Sequence, residues 1–120
     1  MTKSGTAPKQ GDIVPMPVPF TDLGSSKCRP VLVLSSGTHN RRSPDIVVAA
    51  ITSNPATRGG ILITKDDLAS GCLPAKSYIR PGNVYTLIKD IIVKHVGAVQ
   101  ATILQTVFAR LDALLGRSRR

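Results

Sequence analysis

A chain of 120 residues suits a single domain, and its 42% hydrophobic content excludes a disordered chain and supports a core without staples. The longest apolar runs, Ile46–Ile51 and Val31–Leu34, fall far short of the ~20 residues of a membrane span. The polar start, Met1–Gln10, lacks the apolar segment of a signal peptide, so a cytoplasmic protein is expected. Sixteen Lys and Arg against seven acidic residues give a net charge of +9, which favours a polyanionic partner: nucleic acid, an acidic protein or an anionic surface. The aromatics are Phe20, Tyr78, Tyr85 and Phe108, too few for a base-stacking platform of the single-strand-binding type.

In chain order, Met1–Gln10 reads as a flexible lead-in. Gly11–Val18 alternates loosely, and Pro15, Pro17 and Pro19 confine such a strand to a sheet edge or a bulge. Phe20–Lys27 is rich in turn formers and reads as a loop. Val31–Ser35 is a short buried strand with Pro30 at its first position, which holds Arg29 at the strand's entrance. Ser36–Pro44 reads as a second polar loop carrying His39, Arg41 and Arg42. Asp45–Ser53 is the clearest strand, apolar on both faces. Asn54-Pro55 turns into the basic Arg58-Gly59-Gly60, followed by a strand over Ile61–Thr64. Lys65–Ala69 makes one helical turn ended by Gly71. Strands are expected over Pro74–Arg80, Val84–Leu87 and Ile91–Val96, with Pro81-Gly82 as a turn. Ile103, Leu104, Val107, Phe108, Leu111, Leu114 and Leu115 then fall on one face of a helix that Gly116 terminates.

Many short strands followed by one helix exclude a doubly wound parallel sheet. The expected fold is mainly β with a C-terminal α-helix, a small antiparallel half-barrel capped by that helix. One domain spans residues 11–116, between the lead-in 1–10 and a basic tail 117–120. Cys28 and Cys72 are expected as free thiols, because two cysteines make no zinc site and a cytosolic chain argues against a disulfide. Lys65-Asp66-Asp67 is a solvated turn, since a lone Asp pair lacks the ligand count for a metal. No cofactor or metal is expected.

Gly11-Asp12-Ile13-Val14, Pro19-Phe20-Thr21-Asp22 and Arg29-Pro30-Val31-Leu32-Val33-Leu34-Ser35 resemble the start of the MazF/PemK toxin family. Val47–Asn54, Arg80-Pro81, Tyr85-Thr86-Leu87, Ile91-Ile92-Val93-Lys94 and the closing helix continue the likeness in the same order. The resemblance implies an SH3-like barrel that acts as a homodimer. It implies a metal-independent, sequence-selective endoribonuclease that cuts single-stranded RNA. It also implies an acidic antitoxin partner whose tail wraps the toxin. Arg29 matches the family's catalytic arginine and Thr52 its catalytic threonine; Ser53 is a weaker candidate beside it. Where some members carry a glutamate before the arginine, this chain has Ser25, Ser26 and Lys27. Pro15 also departs from a strand that is usually apolar.

The chemistry fits those residue types. RNA carries its own nucleophile, the 2′-OH, next to the phosphate. A guanidinium forks onto phosphate oxygens, and a threonine hydroxyl donates to one of them. Lys27, Arg41, Arg42, Arg58, Lys76 and Arg80 are candidate RNA-binding residues through phosphate attraction. His39 and His95 carry the side chain suited to proton transfer near neutral pH, but neither is assigned as the base. Three rival readings stand beside this one: a toxin of the same fold that poisons DNA gyrase, a nucleic-acid-binding module without catalysis, and, given the missing carboxylate, a decayed enzyme that still binds its antitoxin. The main reading requires Arg29 and Thr52 to reach one phosphate.

Overall fold

In the computed structural model, which describes residues 7–19, 26–73, 76–92 and 94–117, the first strand, β1 (Asp12–Pro19), lies antiparallel to β2 (Ser26–Val33) along its whole length. Of residues 18, 19, 26 and 27 only the backbone is described. The Ile13 carbonyl accepts the Val96 N–H at 2.9 Å, so its polar groups face away from β2. Alternation turns those of Pro15, Pro17 and Pro19 the same way. On that side a short strand, β7 (Gly97–Val99), pairs only with Asp12 and Ile13. The missing N–H groups therefore cost no ladder bond, and the expected edge position holds for one side of β1.

The loop expected over Phe20–Lys27 lies outside the described residues as far as Ser25. The strand that follows starts earlier than expected. Pro30 is inside β2, not at its first position, and Arg29 is a strand residue opposite Met16. Pro30 is tolerated there because its nitrogen faces the next strand, β3 (Asp45–Thr52), beyond that ladder's last pair, Val31 with Ala50.

The expected loop over Ser36–Pro44 is instead largely a helix, α1 (Gly37–Arg42), whose N-cap Ser36 side chain accepts the His39 N–H at 3.2 Å. Buried Asn40 explains why so polar a segment docks. Its amide donates to the Pro8 and Ser35 carbonyls at 2.9 and 3.0 Å, and its oxygen accepts the Ser35 hydroxyl at 2.5 Å. The lead-in is accordingly anchored from Pro8 onward: the Gln10 amide donates to Leu34 O and the Lys9 N–H to the Asp12 carboxylate, both at 2.8 Å.

After β4 (Ile61–Ile63) the expected helical turn is present at Lys65–Asp67, but the chain then re-enters the sheet as β5 (Leu68–Gly71). The two strands expected on either side of Pro81-Gly82 are one 12-residue strand, β6 (Ser77–Ile88). No turn forms there. Residues 81–83 are looped out between the pairs Ala50–Arg80 and Ala49–Val84, a bulge that bends the strand. Of the strand expected over Ile91–Val96, Val93 lies outside the described residues and the described ones form no strand; a short helical turn at Lys89–Ile91 precedes β7. The last element, α2 (Ala101–Leu114), ends as the sequence predicts. Gly116, with φ 75°, donates to Ala113 O at 3.2 Å, and Arg117 donates to Asp112 O at 2.7 Å.

The sheet order is β4-β6-β3-β2-β1-β7-β5, antiparallel throughout, curled into a nearly closed barrel. Ile13, Leu32, Ala49, Ile51, Ile63 and Ile79 fill one side together with Val107 of α2. Val14, Met16, Val31, Val33, Ile46 and Val48 form a second cluster on the other side. β3 is thus buried on both faces, as its composition requires. Leu114 and Leu115, expected on the packed stripe, are 62% and 66% exposed. No described helix is long and apolar enough to cross a membrane. Cys28 and Cys72 are exposed free thiols.

The β5–β7 contact is tight enough to test the fold. Gly71 faces Gly97, and a Cβ on Gly71 would sit 2.0 Å from the Val96 carbonyl at a φ of +76°. Gly71→Ala is expected to destabilise by about 2–4 kcal/mol in denaturant melts, combining backbone strain with overpacking. Gly59→Ala, with a similar φ of +71° but nothing within 4 Å, is expected to cost only about 1 kcal/mol. Equal losses would contradict the close strand approach.

Candidate active site

Arg29 and Thr52 come together through strand register. The β2–β3 ladder pairs Val33 with Val48, Leu32 with Ala49 and Val31 with Ala50. Carried past Val31, the same register sets Arg29 across from Thr52, on one face of the sheet. Both line a pocket of about 160 Å³, with Pro30, Ile51, Ser53, Leu73 and Ser77. That space would take several waters, and so a phosphoryl group. Pro30, Ile51 and Leu73 make its walls apolar. Among the described lining residues Arg29 is the one charged group.

The Thr52 hydroxyl is fixed by the turn that follows it. Its Oγ1 accepts the Asn54 N–H at 3.1 Å, while Asn54 Oδ1 accepts the Ala56 N–H at 2.9 Å and the Asn54 carbonyl the Thr57 N–H at 3.2 Å. A hydroxyl that accepts from the backbone keeps its own proton for donation elsewhere. The strand end is therefore both a capped turn and an oriented donor.

Other candidates are placed unevenly. Ser53, exposed, shares the pocket, and Lys76, also exposed, directly precedes Ser77 of the lining. Arg80 lies two residues from Tyr78 on β6 and shares its face. Arg58 is exposed in the loop after Thr52, and that loop is tied to α2 where Arg110 donates to the Gly59 carbonyl at 3.3 Å. The Lys27 side chain lies outside the described residues. Arg41 and Arg42 are not brought to the pocket. They sit on α1, whose His39 ring contacts the Asp45 carbonyl at 3.1 Å. Asp45 and Thr52 are opposite ends of an 8-residue strand, roughly 20 Å apart. Neither histidine lines the pocket: His95 Nε2 lies 3.0 Å from the Asp12 carboxylate.

Besides Pro30 and Ile51 of its walls, three residues in or beside the pocket escaped the sequence reading. Ser77 and Leu73 line the pocket, and Tyr78 pairs directly with Thr52. Only alternation along Ser77-Tyr78-Ile79-Arg80 hinted that Tyr78 and Arg80 share a face. A larger concavity of about 460 Å³ lies between the end of α2 and the sheet, lined by Leu34, Val47, Val84, Leu111, Leu114 and Leu115 among others.

A family model described as PemK-like, MazF-like toxin of type II toxin–antitoxin system matches residues 9–115. No curated protein matches the chain. Among solved structures, an endoribonuclease in complex with its cognate antitoxin from a mycobacterial species is similar at TM-score 0.73 and 24% identity, over 95% of this chain and 98% of that one. A MazE–MazF complex from Deinococcus radiodurans gives 0.72 and 21%, over 93% and 98%. The Mycobacterium tuberculosis toxin MazF-mt6 gives 0.69 and 19%, over 90% and 99%. At these identities the structures establish a common fold.

Proposed function

The chain belongs to the PemK-like, MazF-like toxin family of type II toxin–antitoxin systems, and from that premise we propose that it is a metal-independent, sequence-selective endoribonuclease that cuts single-stranded RNA at a phosphate held between Arg29 and Thr52. The observation that carries this reading is that Arg29 and Thr52 line one and the same pocket. Two similar solved structures are endoribonucleases from mycobacterial species, which supports it.

The reaction is a transesterification. The 2′-oxygen bonds to the adjacent phosphorus as the bond from phosphorus to the 5′-oxygen breaks. The 2′-OH gives up its proton and the departing 5′-oxygen gains one, leaving 2′,3′-cyclic phosphate and 5′-OH ends. Negative charge builds on the non-bridging oxygens on the way. Arg29 is always charged and meets two of those oxygens at once. Thr52 donates its free proton to the same group. Fixed donors of this kind are worth ~3–4 kcal/mol each, because they need no reorganisation as charge develops.

The partners of this reading are single-stranded RNA, a second copy of the chain and an acidic antitoxin, all met in the cytoplasm. A net charge of +9 supports an acidic partner. The apolar groove beside exposed Leu114 and Leu115 gives a protein partner a surface to cover. Two of the similar structures are complexes, one with a cognate antitoxin and one of MazF with MazE.

Incubating the protein with single-stranded RNA in excess chelator tests the reading. Cleavage with cyclic phosphate and 5′-OH ends is expected. Intact RNA that binds with a steep salt dependence would favour the binding module instead, and intact RNA with capture of gyrase would favour the gyrase poison.

A further inference from the structure

A transverse row of side chains runs from the pocket across the sheet. Thr52 on β3 pairs with Tyr78 on β6, and Tyr78 pairs with Leu62 on β4. Arg29 continues the row on β2 by the register already described. Directly opposed side chains share a face with Cβ atoms about 4.5–5.5 Å apart. The neighbouring row, Ile51, Ile79 and Ile61, is 1%, 0% and 7% exposed, so it faces the core. The row containing Thr52 and Tyr78 lies on the other face, past the end of the second apolar cluster. Tyr78 is half-buried, and Leu62 beside it is 43% exposed.

A loop packs against the root of the ring, and an arginine shares its face. A Cβ on Gly60 would lie 3.0 Å from the Tyr78 Cβ and 2.8 Å from Thr57 Cγ2, so the loop carrying Arg58 rests against the root of the tyrosine. Arg80 stands two residues along β6 on the same face. Aromatic faces take unstacked RNA bases, and arginines beside them take the phosphates between.

We propose that Tyr78 is a nucleobase subsite: it stacks the base of a nucleotide adjoining the scissile phosphate, with Leu62 extending the platform and Arg58 and Arg80 holding the neighbouring phosphates. The inference rests on the endoribonuclease reading, because the phosphate at Arg29 and Thr52 sets where the base falls. The scarcity of aromatics argues against a broad platform, not against one ring beside the reacting phosphate. Stacking suits every base, so Tyr78 supplies affinity and register, and base choice falls to other contacts.

Two measurements separate this role from packing. In cleavage kinetics, Tyr78→Ala is expected to lower kcat/KM about 10- to 100-fold, mostly through KM. Tyr78→Phe and Tyr78→Trp keep near-native values. Tyr78→Leu, which fills space without a π-face, loses as much as Tyr78→Ala; native behaviour of Tyr78→Leu would overturn the proposal. An abasic nucleotide beside the cleaved bond should cost the wild type as much as Tyr78→Ala does and cost that variant nothing more. Equal abasic penalties in both proteins would also overturn it.

Binding is read separately, with RNA carrying a 2′-deoxy sugar at the cleavage site. The chain has no tryptophan and two tyrosines, so Tyr85→Phe leaves Tyr78 as the one tyrosine emitter. Its fluorescence is expected to fall as RNA binds; unchanged emission on a bound complex contradicts stacking. Should the wild type bind RNA and never cut it, the catalytic reading fails while the quenching still decides the role of Tyr78. Failure to bind RNA at all overturns both.

Discussion

Arg29→Ala is expected to slow RNA cleavage by about a thousandfold while leaving the melting temperature within a few degrees of wild type. Arg29 is half-buried at the pocket and is the charged residue of its described lining. Removing a fixed donor from a developing oxyanion costs about 10²–10³ in rate, and arginines on transferring phosphoryl groups cost more. The loss should fall on kcat, because the charge that Arg29 meets is largest in the transition state. Arg29→Lys should recover little, since an ammonium cannot fork onto two oxygens in the plane the strand dictates. An Arg29→Ala protein that cuts at the native rate would remove the site from the pocket altogether. Single-turnover rates with saturating protein, beside a thermal melt of each variant, decide between these outcomes.

Thr52→Val should cost about a hundredfold in kcat, the low end of what one donor supplies. Valine keeps the shape and branching of threonine and removes only the hydroxyl. Thr52→Ser should stay within about tenfold of wild type, because its Oγ can still accept the Asn54 N–H and donate its proton. The Asn54 bond is 3.1 Å long and exposed, so water replaces it in the valine variant and little stability is lost. A valine variant as slow as Arg29→Ala, with a lowered melting temperature, would point to a turn that has collapsed. A valine variant as fast as wild type would leave Arg29 without the second donor that the geometry offers it.

How much of this was legible in the sequence depended on whether the signal was local. β3 and α2 were legible because their apolar residues repeat with the right period, and Gly116 marked its helix end by a left-handed φ. α1 was hidden because Gly37–Arg42 has no apolar stripe; it forms on Asn40, whose partners Pro8 and Ser35 lie elsewhere. β6 was read as two strands because Pro81-Gly82 is a turn signature. Its residues 81–83 instead leave the β3 ladder as a bulge, so the proline breaks no bond. The first half of β2 was missed because Ser26-Lys27-Cys28-Arg29 is polar; it is a strand because it pairs with β1.

The candidate site divides the same way. Arg29 and Thr52 were singled out through the family likeness, and their closeness follows from a register that no short stretch of sequence contains. Tyr78 was invisible as a neighbour of Thr52 for that reason: the residues are far apart in the chain, and only the β3–β6 pairing joins them. Arg41 and Arg42 looked like companions of the site on charge alone, yet α1 holds them at the Asp45 end of β3.

The most direct measurement uses one RNA strand with a single 2′-deoxy sugar on the 5′ side of the bond that the protein normally cuts. The account predicts that this bond survives while the all-ribose strand is cut there, because the missing oxygen is the nucleophile. Cutting of the deoxy strand at that same bond would mean that the attacking group comes from elsewhere, and the pairing of Arg29 and Thr52 around a self-cleaving phosphate would be wrong.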